Sequence, residues 1–164
     1  MTSAKVKNEN TSQITRFEQG AGSFQCSGCH TCKKVKNTKT FKSTNTKRKY
    51  QIRQKMSCRS SYVIYFIVCS NCNGNYVGKT KREFRQRHSG HKQEINNRMW
   101  GLGQHFYPNN TRGCNYDHLE ATLIEKVKHG DDAKLTEREL HWQYQLRTFR
   151  ENGGNAMNLK DDLN

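Results

Sequence analysis

Hydrophobic positions crowd into a stretch near the middle of the chain. The run Tyr62-Val63-Ile64-Tyr65-Phe66-Ile67-Val68 is apolar without alternation and rich in β-branched and aromatic residues; this predicts a central strand covered on both faces. A second strand is expected over residues 75–79, after a tight turn. Over residues 81–96 the period changes, with Phe84, Arg87, His91 and Ile95 at helical spacing along one stripe. At residues 118–127, Leu119, Ala121, Leu123, Glu125 and Val127 alternate with Glu120, Thr122, Ile124 and Lys126, predicting a third strand. Asp131-Asp132 offers an N-cap for a last helix, residues 133–146. The order strand, strand, helix, strand, helix predicts a small α+β domain with an antiparallel sheet of about three strands flanked by helices.

The remainder has a different character. Residues 1–24 are polar without periodicity and read as a mobile tail. Residues 25–60 carry cysteines and lysines but few apolar positions, such as Val35, Phe41, Tyr50 and Ile52. That is too sparse for a core, so this region reads as a basic, cysteine-rich extension organised by a metal. Residues 61–164 then form the main domain. The low apolar content, 32% with a mean hydropathy of -1.10, fits a chain with much of its length outside a core.

Charge narrows the partner. The net charge is +15, and no acidic residue falls between Glu18 and Glu83, so a polyanion, most simply the phosphate backbone of nucleic acid, is the expected ligand. The longest apolar run, residues 62–68, is far short of the roughly 20 residues that span a bilayer. Residues 1–19 lack a basic-then-apolar signal, so an intracellular protein without a membrane partner is expected. Seven cysteines are an odd count for a disulfide framework, and C-x-x-C spacings in a reducing compartment favour metal.

Three patterns carry candidate chemistry. Leu135, Glu139, Trp142 and Leu146 stand at i, i+4, i+7 and i+11, placing a carboxylate in an apolar stripe where it needs a cation, either a basic side chain or a metal ion. In the hairpin, setting Tyr65 opposite Tyr76 centres the turn between Ser70 and Asn71 and faces Cys69 with Cys72, all four on one side. The turn signal Asn73-Gly74 argues for a different register, with Tyr76 facing Asn71; a metal on Cys69 and Cys72 would settle that competition. Finally, Cys26-x-x-Cys29-x-x-Cys32, Cys58 and Cys69-x-x-Cys72 supply six candidate zinc ligands. Six is more than one four-coordinate site requires and fewer than two all-cysteine sites need. His30, His88 or His105 could complete a second site, and Cys114 stands alone.

Tyr62 to Tyr65, followed by Tyr76-Val77-Gly78, resembles the paired motif of the GIY-YIG endonucleases, with Val63 where that family usually has glycine. The likeness continues through Lys79-Thr80-Lys81-Arg82 to Phe84, Arg87 and His91, then Glu137-Arg138-Glu139-Leu140-His141-Trp142, and Asn158 after Ala156-Met157. With the cysteines included, the chain is most similar to the nuclease domain of Penelope-like retroelements, where cysteines lie upstream of the core and between its motifs. A detached domain, a fragment of a longer reverse-transcriptase polyprotein and a free-standing relative all remain open.

The resemblance implies a nuclear endonuclease that hydrolyses DNA phosphodiesters, serving retroelement integration by nicking the target. Glu139 would hold Mg2+ or Mn2+, Tyr65 would act as general base or position the water, and Tyr76 would hold that water. The nearby metal and cations would favour the Tyr65 phenolate. Arg87 would clamp the phosphate, His91 would relay a proton or orient the leaving group, and Asn158 would stabilise the arrangement or bind substrate. Lys79, Lys81 and Arg82, with Lys47, Arg48 and Lys49 of the basic run, would contact DNA, or RNA through the basic region. The alternative is a zinc-dependent nucleic-acid-binding module that keeps the fold without cleavage.

Overall fold

The computed structural model describes residues 20–99, 101–153 and 156–160; most of the tail expected over residues 1–24 lies outside them. In chain order the elements are β1 (Gly22–Phe24), β2 (Thr40–Lys42), β3 (Lys49–Gln51), β4 (Lys55–Ser57), β5 (Val63–Cys69), β6 (Asn75–Thr80), α1 (Phe84–Asn96), α2 (Leu102–Phe106), β7 (Leu119–Lys126) and α3 (Asp132–Leu146). Strands β6, β5 and β7 form an antiparallel sheet with β5 in the middle. Every residue of β5 except Val68 is buried, as its unbroken apolar run requires.

The sheet is packed on both faces. Tyr65 meets Phe84 and His91 of α1 on one face. On the other, α3 brings Trp142 and Arg138 to Glu125 of β7 at 2.5 and 2.9 Å. The alternation expected along β7 breaks at one position, because Tyr65 pairs with Leu123 and Ile64 with Glu125. Ile124 is the extra residue of a bulge, which moves Glu125 off the Leu123 face and under α3. The expected N-cap is present: Asp131 accepts from the Lys134 amide at 2.9 Å. Helix α1 begins later than residue 81, since the Thr80 hydroxyl binds the Arg82 amide and carbonyl in a local turn. Its first amides donate to the Ser60 and Cys58 carbonyls.

The hairpin adopts neither register expected from the sequence. Tyr65 pairs with Gly78, and Tyr76 with Ile67. Cys69 donates to the Gly74 carbonyl, while Asn73 takes φ 59 and donates back to the Cys69 carbonyl. The two-residue slip preserves the side each residue faces, so Tyr65 and Tyr76 remain diagonal neighbours with ring centroids 6.4 Å apart.

The apolar residues before β5, too sparse for a core of their own, pack into that of the sheet. Val35, Phe41, Ile52 and Met56 are buried in the same core as the sheet. The Lys36 amide donates to Ala121 and the Leu123 amide to the Ser23 hydroxyl, so this segment pairs with the outer edge of β7. Residues 22–24, counted in the mobile tail from sequence, form β1 and pair in parallel with β4. Phe41 joins the layers: its ring lies 5.2 Å from Tyr50, 6.1 Å from Phe66 and 5.3 Å from Trp142. Phe41→Ala should cost about 3–5 kcal/mol of unfolding free energy in urea. A loss below about 1 kcal/mol would mean that the segment contributes little to the core.

Candidate active site and metal-binding groups

A glycine makes the centre of the site possible. A Cβ at Gly78 would overlap the Tyr65 hydroxyl and stand 2.7 Å from Cε1 of Tyr76. Glycine therefore lets the Tyr65 ring lie across β6, its cross-strand neighbour. The Tyr65 hydroxyl is wholly buried and lies 2.6 Å from Nε2 of His91. On its far side, His91 Nδ1 lies 2.7 Å from Oε2 of Glu94, whose Oε1 accepts from Arg87 at 2.7 Å. Burial pushes the Tyr65 hydroxyl well above its usual value and Tyr76 adds to the rise, while Arg87 offsets only part of it. Among these side chains desolvation outweighs the nearby cation, which favours the protonated phenol. Burial also lowers His91, which rests neutral despite Glu94.

The half-buried side chains lie around this buried pair. Tyr76 presents its ring 5.9 Å from His91. Glu139 of α3 receives Lys79 of β6 at 2.6 Å, so its cation in the structure is a lysine. Asn158 is buried, and its amide holds β6 by the backbone: Oδ1 accepts from the Val77 amide at 2.8 Å and Nδ2 donates to the Val77 carbonyl at 2.9 Å. Its amide is thus turned to the backbone of Val77, the residue between Tyr76 and Gly78.

The model of the GIY-YIG catalytic domain matches residues 61–152. The chain belongs to the GIY-YIG family. No curated protein and no solved structure matches it. GIY-YIG domains are those of nucleases that use divalent metals, so the substrate class of the family is nucleic acid. Val63, the departure from the family motif, is fully buried and pairs with Thr80 and Lys126; the strand accommodates its side chain in the core.

The basic residues are dispersed around this GIY-YIG centre. Lys81 is exposed and pairs with Asp132 at 2.5 Å, and Arg82 is exposed. Lys47 and Arg48, on a loop, and Lys49, at the start of β3, are exposed; the loop is held to the end of α3, where Ser43 donates to the Leu146 carbonyl and Asn45 to that of Arg147. Arg48 lies over the Tyr50 ring.

The cysteines gather into two groups, and every described cysteine is a free thiol. Cys26, Cys29, Cys32 and Cys58 form one, and Cys69, Cys72, His105 and Cys114 the other; within each, the ligand atoms lie within 4.8 Å of one another. A zinc–sulfur bond of about 2.3 Å implies tetrahedral S···S edges of about 3.8 Å. Cys32 Sγ lies 3.7, 3.6 and 3.8 Å from Cys26, Cys29 and Cys58, and Cys72 Sγ lies 3.3 Å from Nε2 of His105. Both groups could hold a metal ion. Burial pushes the Cys58 thiol up, and Cys69 up to about 12, so a cation is what would hold them as thiolates.

Sequence reading missed Cys114 as a ligand and gave His105 only as one option. Counting could have brought in Cys114, because seven cysteines and one histidine make two complete four-ligand sets, but it could not choose His105 among seven histidines. His88, also considered as a ligand, instead bridges Thr31 and Tyr116 at 3.1 Å each, and His30 belongs to neither group. Glu94 was missed as well, although its positions three beyond His91 and seven beyond Arg87 place all three on one helical face. Gly78→Ala should force Tyr65 or β6 to shift and destabilise the fold by about 1–3 kcal/mol, read by thermal or urea unfolding. An unchanged midpoint would show that the close approach of Tyr65 to Gly78 is not required.

Proposed function

We propose that the chain is a metal-dependent endonuclease that hydrolyses DNA phosphodiester bonds. The observation carrying this reading is the convergence of Tyr65, Tyr76, Arg87, His91 and Glu139, drawn from two strands and two helices, around the Gly78 gap. Glu139, partly buried and already paired with a cation, fits a divalent ion that keeps much of its water shell; Mg2+ or Mn2+ bound there would neutralise charge on the phosphate. Tyr65 orients the attacking water, and His91 accepts the Tyr65 proton. Arg87 offers a permanently charged, forked donor to the phosphate. Tyr76, more exposed than Tyr65, holds the water in line.

The loop of Lys47 and Arg48, leading into Lys49 of β3, lies at the end of α3, two helical turns or about 10 Å along the axis from Glu139. It is placed to hold the backbone of the same nucleic acid, and Lys81 and Arg82 extend that contact from the other end of α3. The sulfur spacing of the first cysteine group and the clustering of four ligand atoms in the second support zinc in each. Cysteines both before the first motif and between the two motifs support a kinship with Penelope-like nuclease domains, and with it a role in target nicking during retroelement integration in the nucleus.

One observation favours a second reading. Lys79 already occupies the Glu139 carboxylate and Tyr65 has no exposure to water, as in a binding module that has kept the fold without cleavage. Nicking of supercoiled plasmid with Mg2+ or Mn2+ separates the two. Hydrolysis by the parent should fall at least about 100-fold in Glu139→Ala. No nicking by the parent, or equal nicking by both proteins, decides against the nuclease reading. Elemental analysis should give two zinc equivalents per chain, falling to one in Cys114→Ser; fewer than about half an equivalent in the parent removes the zinc assignment.

A further inference from the structure

We propose that Glu94 is a positioning residue of this site: its carboxylate fixes the ring orientation and tautomer of His91, so that Nε2 faces the Tyr65 hydroxyl as a proton acceptor, and it tethers Arg87 with its other oxygen. The inference rests on the nuclease reading. It extends that reading to a residue outside the motif residues Tyr65, Tyr76, Arg87, His91, Glu139 and Asn158.

The contacts of His91 and its burial together favour one pattern of protons. Burial by itself would raise the Glu94 carboxyl, but the hydrogen bonds from His91 and Arg87 and the Arg87 charge hold it below its usual value, so it is a carboxylate that can only accept. Its contact with Nδ1 at 2.7 Å therefore requires a proton on Nδ1. His91 is buried and rests neutral, leaving Nε2 without a proton. The 2.6 Å contact between that nitrogen and the Tyr65 hydroxyl is then a bond in which Tyr65 donates. The groups facing His91 are Glu94, Arg87 and His88 on its own helix and Tyr65 and Tyr76 on the sheet. Glu94 is the carboxylate among them. Glu139 faces Tyr65 from α3.

The consequence for a proton transfer is specific. When water gives a proton to the Tyr65 oxygen and attacks phosphorus, the Tyr65 hydroxyl proton passes to His91 Nε2. The imidazolium formed keeps its Nδ1 proton on Glu94, whose negative charge stabilises it. The extra proton returns through Tyr65 to the alkoxide released from the broken P–O bond, so protons and charge balance. Glu94 touches neither water nor phosphate in this scheme and acts through His91 and Arg87.

The test compares the full chain with Glu94→Leu, Glu94→Gln and Glu94→Asp in plasmid nicking, together with histidine 15N shifts. Metal content and thermal midpoint serve as folding controls. In the parent, His91 should show a protonated Nδ1 and a bare Nε2. Glu94→Leu should lose that tautomer preference and about 100-fold in kcat with KM changed less than about threefold, and Glu94→Asp should recover part of the loss. Glu94→Gln can still accept from Nδ1 but lacks the charge, so it should keep the tautomer and still lose kcat. A parent His91 protonated on Nε2, or kcat in Glu94→Leu within about twofold of the parent, overturns the proposal. If the parent does not nick at all, the nuclease reading fails, and the nitrogen shifts still decide where the His91 proton lies.

Discussion

A phenol wholly removed from water in the middle of a sheet must find a hydrogen-bond partner, because leaving its hydroxyl unpaired costs on the order of 1–3 kcal/mol. Tyr65 meets that demand through His91, and much of the architecture follows. The hydroxyl can reach α1 only because Gly78 has no side chain. The hairpin register places that glycine, and not Tyr76, opposite Tyr65. Helix α1 must hold His91 at this depth, and its first turn is fastened to the Ser60 and Cys58 carbonyls.

Both cysteine groups adjoin elements that fix these positions. The first includes Cys58, whose carbonyl receives the Arg85 amide at the start of α1, and Thr31, beside Cys32, binds His88 on the same helix. The second joins the hairpin of Cys69 and Cys72 to His105 of α2 and to Cys114 before β7. One group thus borders the helix carrying Arg87 and His91, and the other borders the hairpin carrying Tyr65 and Tyr76.

The central parts of the fold were legible because their patterns are local. The apolar run of β5, the period of α1 and the Asp131 cap each identify an element within a few residues. The β7 bulge was not legible, since Ile124 fits the alternation and only pairing with β5 reveals it as the extra residue. The hairpin register failed for a similar reason: the tyrosine pairing and the Asn73-Gly74 turn signal competed, and the loop that formed suits neither. Phe41 and Val35 looked too few for a core because a sequence pattern cannot show that the sheet supplies the rest of their surroundings. Within the site, the motif residues were readable as a constellation. Glu94 lay in plain view on the helical face of His91, but a lone acid on a charged helix carries no signal until the histidine beside it is seen to be buried.

Asn158 acts on the outer side of β6. With its amide on both backbone groups of Val77 and the Met157 amide on the Asn75 carbonyl, it imitates a neighbouring strand using a single side chain. On the opposite side, the Lys36 amide and the Ser23 hydroxyl do the same for β7. The three-stranded sheet is thereby shielded along both flanks from recruiting a strand of another molecule. A strongly basic chain thus keeps the edges of its sheet from serving as templates for aggregation.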